Sequence, residues 1–477
     1  MAPFRALTRR TFLTSTAAVA AAGGLGWGAA PASAETSRPR DWRPVAADVR
    51  RELLDTWKAY KRYAWGHDHL LPVSGGHGEF FDAEHPVGLT IVEALDTLYL
   101  MGLDAELAEG VRWVKENLDF SRVNANVQVF ETNIRMVGGL LSGHLATGER
   151  ALLDHAKKIA DILMPCFEQS PTGIPYRFVN PSTGEISGDT NVLAEVGTII
   201  TEFGTLSRLT GDPRYYRAAK KAMKAVIDRR SDLGLLGTEI DVETGEWVND
   251  TATIHPPVDS FYEYVWDAWD LFGDRDFRSW YGLLTKAILK HEATKINGHL
   301  WFADVDIDNG ETVTAVQSEL GAFYAGLLGQ SGYRHLGDAY LASWTSVLDK
   351  YPVLPEGYDP VSGEATSKGN QLRPEYVDSC FNLWIVAGPG KRGSEKYREL
   401  AYDYYRRQKK HSRVDNGWTI IADVTTTPVR HDDLTSGYWW SEQMKYWYLM
   451  FTNAPRFDYR RNYLSTEGNV FRGLRRR

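Results

Sequence analysis

Three short segments of this chain contain carboxylate residues that could act as catalytic acids or bases. They read VFETNIR over 129–135, DSFYEY over 259–264 and LRPE over 372–375. Each places a carboxylate among aromatic or apolar neighbours, at the expected start of a helix. Hydrolysis of a glycosidic bond uses such groups, because one carboxyl protonates the leaving oxygen and another activates a water molecule. A fourth segment, LSTEG over 464–468, adds a threonine and a further acid. The pattern favours glycoside hydrolysis.

The first segment pairs Glu131 with Arg135. A spacing of four residues puts both on one helical face, where the guanidinium can orient the carboxylate or a sugar hydroxyl. The common alternative is an ordinary surface ion pair, worth under about 1 kcal/mol. Arg135 and a helix N-terminus both favour the ionised carboxylate, so an acid role for Glu131 needs nearby carboxylates to oppose them. Asp259 therefore stays as an alternative or second acid, although capping the following helix is the usual role of aspartate there.

The third segment places Glu375 directly after Pro374. Proline suits the first position of a helix, so Glu375 falls in the first turn among unpaired backbone N–H groups. We expect these donors to keep the carboxylate ionised, as a general base for water requires, and Arg373 to hold it in place. The alternative is an acid that is merely favoured there by the helix dipole. Asp378 follows three residues later on the same face.

The four segments, in this order, resemble glycoside hydrolase family 47, the class I α-mannosidases that trim α-1,2-linked mannose. Further matching segments are YAWGHD over 63–68, GLTIVEALDTL over 88–98 and SEQMKYWYL over 441–449, so the resemblance covers about residues 53–472. It implies an all-α (α/α)7 barrel and hydrolysis with inversion of configuration. It also implies that Glu131 is the general acid, that Asp259 belongs to the catalytic site and that Glu375 is the base.

The resemblance further implies a Ca²⁺ ion at the base of the pocket, held by the hydroxyl and the carbonyl oxygen of Thr466. Calcium takes about six to eight oxygen ligands, so most of its shell would be water held by carboxylates. Glu93 and Asp96 match acidic positions of the family, and for each residue two roles are equally open: contact with the sugar or support of a helix end. The sequence contains neither an EF-hand loop nor the His/Cys spacing of a zinc site, and His67 is expected to be structural. The expected substrate-binding residues are Glu93, Asp96, Arg135, Arg373, Asp378, Tyr438, Glu442 and Glu467.

Differences within the family bear on the function. The processing mannosidases of the Golgi and the endoplasmic reticulum carry an arginine two residues before the catalytic aspartate, where this chain has Pro257. Segments 125–131, 318–324 and 465–468 are closer to the degradation-enhancing branch of the family. An alternative function is therefore a mannose-binding lectin with weak or absent turnover. A different helical-toroid enzyme, such as an endo-mannanase or a sugar epimerase, would instead have a histidine-centred or paired-aspartate site.

Apolar residues recur at helical spacing along nearly the whole chain, and glycine-containing turns separate the segments. An amphipathic helical hairpin cannot bury its apolar stripe alone, whereas a closed ring of hairpins buries all of them. We therefore expect a single catalytic domain over 35–477. Short β-hairpins are expected in the rim loops 169–189, 230–258 and 294–314. The predicted helical segments are 46–67, 90–117, 131–145, 150–168, 190–210, 213–229, 259–272, 276–293, 315–330, 334–350, 374–387, 394–409 and 438–452.

The N-terminus has the form of an export signal. Residues 8–13, TRRTFL, carry a twin arginine, and an apolar stretch ending in PASA at 31–34 follows. We expect residues 1–34 to be a twin-arginine signal peptide that is removed after Ala34, so that the protein is periplasmic or extracellular. The apolar run of about 15 residues is shorter than the roughly 20 that span a bilayer, so no stable membrane anchor is expected.

Composition restricts the partners. The formal net charge is −8, and apart from the terminal arginines the sequence has no basic stripe of the kind that phosphate backbones need, so nucleic acid is not expected. With only Cys166 and Cys380, the fold is expected to rest on its core rather than on disulfides. Both cysteines lie in apolar helical surroundings that suit buried free thiols, and one bridge between them is the alternative. The expected partner is an α-mannoside glycan, and the protein is expected to be a monomer.

Overall fold

Paired helices dominate the structure, a computed structural model that describes residues 40–474 except Arg392 and Asn453. The expected signal peptide, residues 1–34, lies outside the described residues. From Trp42 onward the chain forms one compact unit. The inner helical segments are Leu89–Leu100, 129–147, 193–210, Ser260–Phe272, 319–330, Glu375–Ala387 and 439–451. The outer helices are Arg43–Tyr63, Asp104–Asn117, Arg150–Glu168, Arg214–Ile227, Arg275–His291, Arg334–Val347 and Glu395–Ser412.

The two sets of helices differ in how they are buried. In the inner helix Leu89–Leu100, eleven of the twelve residues are buried. The outer helix Arg214–Ile227 buries only one face, which includes Tyr215, Ala219 and Met223. A helix that is buried all round belongs inside a large core, whereas an amphipathic helix covers that core from outside. Seven such pairs confirm the expected (α/α)7 barrel.

The ring is closed by contacts between its first and last helices. Arg43–Tyr63 packs against Met444–Phe451, and Leu89–Leu100 contacts the turn Trp439–Gln443. Each inner helix except the last is joined to the next outer helix by a short turn. After Ser260–Phe272, for example, Gly273 adopts a φ of 66° and donates its N–H to the carbonyl of Trp269, a left-handed ending that favours glycine. The long loops are therefore those that connect each outer helix to the next inner helix.

Four inner segments are not uniform α-helices. Residues 129–147 comprise Val129–Glu131, a π-helical turn at Thr132–Val137 and Gly138–Thr147. Residues 439–451 comprise a π-helical turn at Trp439–Gln443 followed by Met444–Phe451. The other two are 193–210, built from Leu193–Gly197 and Ile200–Thr210, and 319–330, built from the 3-10 turn Glu319–Phe323 and Tyr324–Gln330.

The predicted continuous segment 90–117 is wrong. The structure divides it into an inner and an outer helix, separated at Met101–Leu103, where Gly102 has a φ of 65°. Both Met101 and Leu103 are buried, so the apolar pattern continues through the turn and hides it. The first predicted helix also ends earlier, at Tyr63 rather than 67.

Short antiparallel strands occupy the long connections that lead into the inner helices, as expected for the rim loops, and one further hairpin follows the last helix. A further short 3-10 helix spans Phe120–Arg122. The two-stranded sheets are His69–Leu71 with Gly76–Gly78, Ala293–Ile296 with His299–Phe302, Arg413–Val414 with Gly417–Trp418, Ile421–Asp423 with Arg430–His431, and Tyr463–Leu464 with Val470–Phe471. The three-stranded sheets are Val127–Gln128 with Phe178–Val179 and Ile186–Ser187, Thr190–Val192 with Glu239–Asp241 and Trp247–Asn249, Thr251–Ala252 with Asp304–Asp306 and Thr312–Thr314, and Gln317–Ser318 with Gly357–Asp359 and Glu364–Ser367.

The hairpin Tyr463–Leu464 with Val470–Phe471 follows the last helix and is fixed to the inner layer. The Asn469 side-chain amide donates to the carbonyl of Ile134 at 2.9 Å. The N–H of Val470 donates to the Asp96 carboxylate at 2.8 Å. These contacts hold the loop between the two strands at a defined place inside the ring.

Two properties of the described residues bear on the remaining expectations. Cys166 and Cys380 are both free and buried, as expected. None of the helices from residue 40 to 474 combines the length and the apolar character that crossing a membrane requires.

Candidate active site

One pocket gathers most of the residues that the sequence singles out. It lies where the inner helices begin, and its floor is formed by the loop of the C-terminal hairpin. Ten of the twelve predicted residues line it, whereas Glu93 and Asp96 do not. The ten are Glu131, Arg135, Asp259, Arg373, Glu375, Asp378, Tyr438, Glu442, Thr466 and Glu467.

Arg135 joins three carboxylates around the pocket. Its Nε donates to Glu131 at 2.7 Å, and its Nη1 donates to Glu93 at 3.1 Å and to Glu467 at 3.0 Å. Burial raises the pKa of Glu93, and the Arg135 guanidinium opposes that rise. A Cβ atom on Gly437 would lie 1.4 Å from the Glu93 carboxylate, so this position requires glycine. Glu93 thus supports the guanidinium from behind the pocket wall.

Both π-helical turns present pocket residues. Thr132–Val137 carries Arg135, and Trp439–Gln443 carries Glu442. A π-helical turn inserts one extra residue into the helix, which rotates the side chains that follow it, and such turns are common at functional sites. Helical periodicity alone therefore does not give the directions of these two side chains.

The ring of Tyr438 contacts two guanidinium groups. It is 5.7 Å from the Arg135 carbon Cζ and 5.6 Å from that of Arg373. The Tyr438 hydroxyl donates to the carbonyl of Gln371 at 2.6 Å. Nε of Arg373 donates in turn to Glu356 at 3.1 Å. The two cation–π contacts and the hydrogen bond hold the ring in place as a wall of the pocket.

Asp259 immediately precedes the inner helix Ser260–Phe272. Its side chain makes no N-cap hydrogen bond to that helix and instead contacts the adjacent N–H of Ser260. Burial raises the pKa of Asp259 to about 6, the Ser260 N–H and the Arg373 charge oppose that rise, and the nearby Glu131 charge adds to it. Asp259 can therefore hold a proton close to neutral pH.

Glu375 begins its helix, as expected, but its ionisation differs from the expectation. Burial raises the pKa of Glu375 to about 8, which outweighs the opposing effects of Arg373 and of the backbone N–H. Its Oε2 atom is buried and has no hydrogen-bond partner among the described residues. The desolvation cost of a buried carboxylate is larger here than the gain from helix N-terminal donors. The protein's own groups alone do not keep this carboxylate ionised at neutral pH.

Three acids at or beside the pocket were not among the residues predicted from the sequence. Glu263 lies one helical turn after Asp259, lines the pocket and forms a hydrogen bond with Thr466. Glu195 also lines the pocket and accepts two hydrogen bonds from Arg177. Glu356 is the partner of Arg373 described above. The spacing of four residues from Asp259 is a signal that could have identified Glu263.

Several buried carboxylates lie near Thr466 at the floor of the pocket. Burial raises the pKa of Glu263, Glu442 and Glu467, and it raises that of Asp378 to about 7. Repulsion from neighbouring carboxylates raises the pKa of Glu263, Glu442 and Glu467 further, but it does not contribute for Asp378. An oxygen-only donor set with this excess of acids and with the orphaned Glu375 oxygen fits a hard cation such as Ca²⁺.

Asp96 supports the floor from outside the pocket. Its Oδ1 lies 2.7 Å from Nζ of Lys445, and its Oδ2 accepts the N–H of Val470. Lys445 also donates to the carbonyl of Gly468. Asp96 therefore holds the loop that carries Thr466.

A barrel of seven helical pairs whose inner helices direct several acids into one pocket defines a helical-toroid glycoside hydrolase. The family model for glycosyl hydrolase family 47 matches residues 52–473. The chain belongs to this family, so the alternative of a different toroid enzyme is wrong.

Individual relatives agree with this assignment. Human mannosyl-oligosaccharide 1,2-alpha-mannosidase IB is 32% identical over 439 residues, which cover 86% of this chain and 67% of that protein. A mannosyl-oligosaccharide 1,2-alpha-mannosidase of Candida albicans is 29% identical, covering 90% of this chain and 84% of that protein. The solved structure of the α-1,2-mannosidase from Trichoderma reesei superposes with a TM-score of 0.81 at 23% identity, covering 90% of this chain and 99% of that one, which supports the fold.

Proposed function

We propose that this enzyme removes terminal α-1,2-linked mannose from mannose-rich glycans or related mannosides, with Ca²⁺ bound and with inversion of configuration. The observation that carries the proposal is the meeting of Glu131, Asp259 and Glu375 in one pocket above Thr466. The names of the relatives support the linkage. A closed floor and a pocket at one rim suit an enzyme that acts on chain ends.

In the proposed reaction, Glu375 is the general base. It takes a proton from the water that attacks the anomeric carbon, while a second carboxyl protonates the leaving oxygen from the other face. Arg373, held by Glu356 at 3.1 Å, orients the Glu375 side of the pocket. Tyr438 provides an aromatic wall for the sugar ring.

Two residues are candidates for the proton donor. Glu131 is the acid that the family resemblance implies, and it accepts a hydrogen bond from Nε of Arg135 at 2.7 Å. Asp259 has a pKa raised to about 6 by burial and is therefore partly protonated near neutral pH. We propose Asp259 as the donor, with Glu131 positioning Arg135 and the sugar.

The Ca²⁺ dependence is proposed from the donor set on the floor. The hydroxyl and carbonyl oxygen of Thr466 would hold the ion directly, and Glu263, Asp378, Glu442 and Glu467 would hold its water ligands. A bound Ca²⁺ would supply a template for sugar hydroxyls and a positive charge that favours ionised carboxylates nearby. This effect is consistent with Glu375 acting as a base even though its pKa is high among the protein's own groups.

We also propose export and a monomeric state. The twin-arginine sequence in residues 1–34 supports delivery to the periplasm or outside the cell. The lectin alternative is not favoured, because all three carboxylates of the proposed reaction are present in the pocket.

The test is mannose release from α-1,2-linked mannobiose by purified mature protein, measured before EDTA treatment, after it, and after Ca²⁺ is restored. We expect activity to disappear and return, and proton NMR to detect the β-anomer of the first mannose released. An α-anomer would overturn inversion, and activity that resists EDTA would overturn metal dependence. Binding of the disaccharide without turnover would instead support the lectin alternative.

A further inference from the structure

A second cluster of potential metal ligands lies outside the pocket, in the first rim hairpin. Its members are His67, His77 and Glu79, and their nearest ligand atoms all lie within 4.8 Å of one another. Nδ1 of His67 and Nδ1 of His77 both face the same oxygen, Oε1 of Glu79. From the sequence, which has no His/Cys spacing of a zinc site, His67 was expected to be structural, and His77 and Glu79 were not singled out.

The backbone holds the two histidines in fixed positions. His77 lies on the strand Gly76–Gly78, where it pairs with Leu70 of the strand His69–Leu71. Glu79 follows two residues later, so its side chain points to the same side as that of His77. The N–H of His67 donates to the carbonyl of Ala64 at 2.9 Å, and its own carbonyl accepts the hydroxyl of Tyr60 at 2.7 Å.

A second layer of hydrogen bonds orients the Glu79 carboxylate. Its Oε2 accepts the N–H of Asp68 at 3.2 Å, and only 12% of the side chain is exposed. The Asp68 carboxylate accepts in turn the N–H groups of Phe80, Val87 and Leu89 at 3.0 to 3.1 Å. Oε1 of Glu79 is thus directed at the imidazoles. Such supporting bonds are typical of metal ligands because they fix the direction of the donor atom.

We propose that His67, His77 and Glu79 bind a zinc ion, with water as the fourth ligand. Two imidazole nitrogens and one carboxylate oxygen form a ligand set that zinc accepts in tetrahedral geometry, whereas calcium takes oxygen ligands. The imidazole rings stack with centroids 3.5 Å apart and planes inclined by 16°. Parallel stacked rings cannot both point a lone pair at one ion, so the His77 ring has to tilt away from the stack, and its 45% exposure leaves room on the solvent side.

The site would stabilise the rim of the pocket rather than take part in the reaction. Phe80 directly follows Glu79, and its ring lies 5.2 Å from the guanidinium carbon of Arg135. Arg135 in turn contacts Glu131. Zinc binding would therefore fasten the segment that covers Arg135, and its role is independent of the calcium proposed for the floor.

The test is titration of Zn²⁺ into untagged, mature protein saturated with Ca²⁺, in competition with a chromophoric zinc chelator. We expect one equivalent to bind, with at least tenfold weaker affinity in His77→Ala and Glu79→Gln. Co²⁺ in place of zinc should give the intense visible absorption of a tetrahedral site. The matched control is His85→Ala, because His85 also bonds a carboxylate, Asp82 at 2.9 Å, but it is not part of the three-ligand cluster.

Two results would overturn the zinc site: no bound equivalent in the wild-type protein, or equal affinity in the wild type and His77→Ala. Circular dichroism and the thermal midpoint show whether each variant has folded, without reference to activity. Mannobiose hydrolysis is measured separately in the same samples. A failure of the zinc site is thereby distinguished from a failure of the proposed mannosidase function.

Discussion

Nζ of Lys445 lies 2.7 Å from Oδ1 of Asp96, and neither side chain is more than 1% exposed. Lys445 also donates to the carbonyl of Gly468, and Asp96 accepts the N–H of Val470 at 2.8 Å. The buried pair therefore holds the loop that presents Thr466 to the pocket, through two residues that follow Thr466 in the chain. Burial lowers the pKa of Lys445, and the Asp96 charge opposes that shift.

Replacing one member of this pair should be costly. In Lys445→Met, Asp96 keeps a buried charge without its partner, so we expect the free energy of unfolding to fall by about 3–5 kcal/mol. Urea denaturation measures this loss. The double variant Lys445→Met with Asp96→Leu should recover much of it. Arg150→Met, which breaks an exposed pair with Asp154, is the control and should cost under about 1 kcal/mol. A loss in Lys445→Met as small as that in Arg150→Met would contradict a structural role for the buried pair.

Glu375→Gln should separate substrate binding from turnover. The amide keeps the size of the side chain but cannot accept a proton from water, so we expect kcat on mannobiose to fall by about 100- to 10,000-fold. Calorimetry should detect nearly unchanged disaccharide binding. The exposed Glu364→Gln is the matched control and should retain full activity. A near-normal rate in Glu375→Gln would remove this residue as the base.

A substrate that needs no proton distinguishes the two candidate acids. Fluoride leaves without general acid catalysis, so a variant of the true proton donor should still hydrolyse α-mannosyl fluoride while losing activity on mannobiose. We expect this behaviour from Asp259→Asn. Glu131→Gln should lose activity on both substrates, because it disturbs Arg135. The opposite pattern would assign the acid role to Glu131.

Much of the fold could be predicted from the sequence because helix and turn signals are local. Amphipathic spacing and glycine turns located nearly all of the helices, and the resemblance gave their number. The break at Met101–Leu103 was missed because apolar residues continue through it. The π-helical turn that carries Arg135 has no sequence signal of its own, so its effect on side-chain direction was not predictable.

The site was predicted less evenly, because its supporting contacts join distant parts of the chain. Glu467 is 332 residues from Arg135, yet their side chains are 3.0 Å apart. The partner of Asp96 is Lys445, in a helix that otherwise reads as apolar core. The ionisation of Glu375 was misjudged for a similar reason, since burial by long-range packing decides it rather than the local helix terminus.

Thr466→Ala should weaken calcium binding. The substitution removes the hydroxyl that we propose as a direct ligand, so calcium affinity, activity and the thermal midpoint should fall together. Thr466→Ser retains the hydroxyl and should preserve most of all three. Titration with Ca²⁺ after EDTA treatment measures the affinity. Unchanged calcium content in the alanine variant would refute the assignment of Thr466.

The calcium-free protein should lose stability as the pH rises. Burial raises the pKa to about 6 for Asp259, about 7 for Asp378 and about 8 for Glu375. At pH values between the ordinary pKa of a carboxyl group and these raised pKa values, the folded protein binds more protons than the unfolded chain. The free energy of unfolding therefore decreases with increasing pH. We therefore expect the thermal midpoint of EDTA-treated protein to fall between about pH 5 and 8, and Ca²⁺ to reduce that fall because its charge favours the ionised carboxylates. Asp378→Asn cannot titrate and should show a smaller decrease without calcium. A midpoint that rises over this range in EDTA would contradict a floor of uncompensated buried acids.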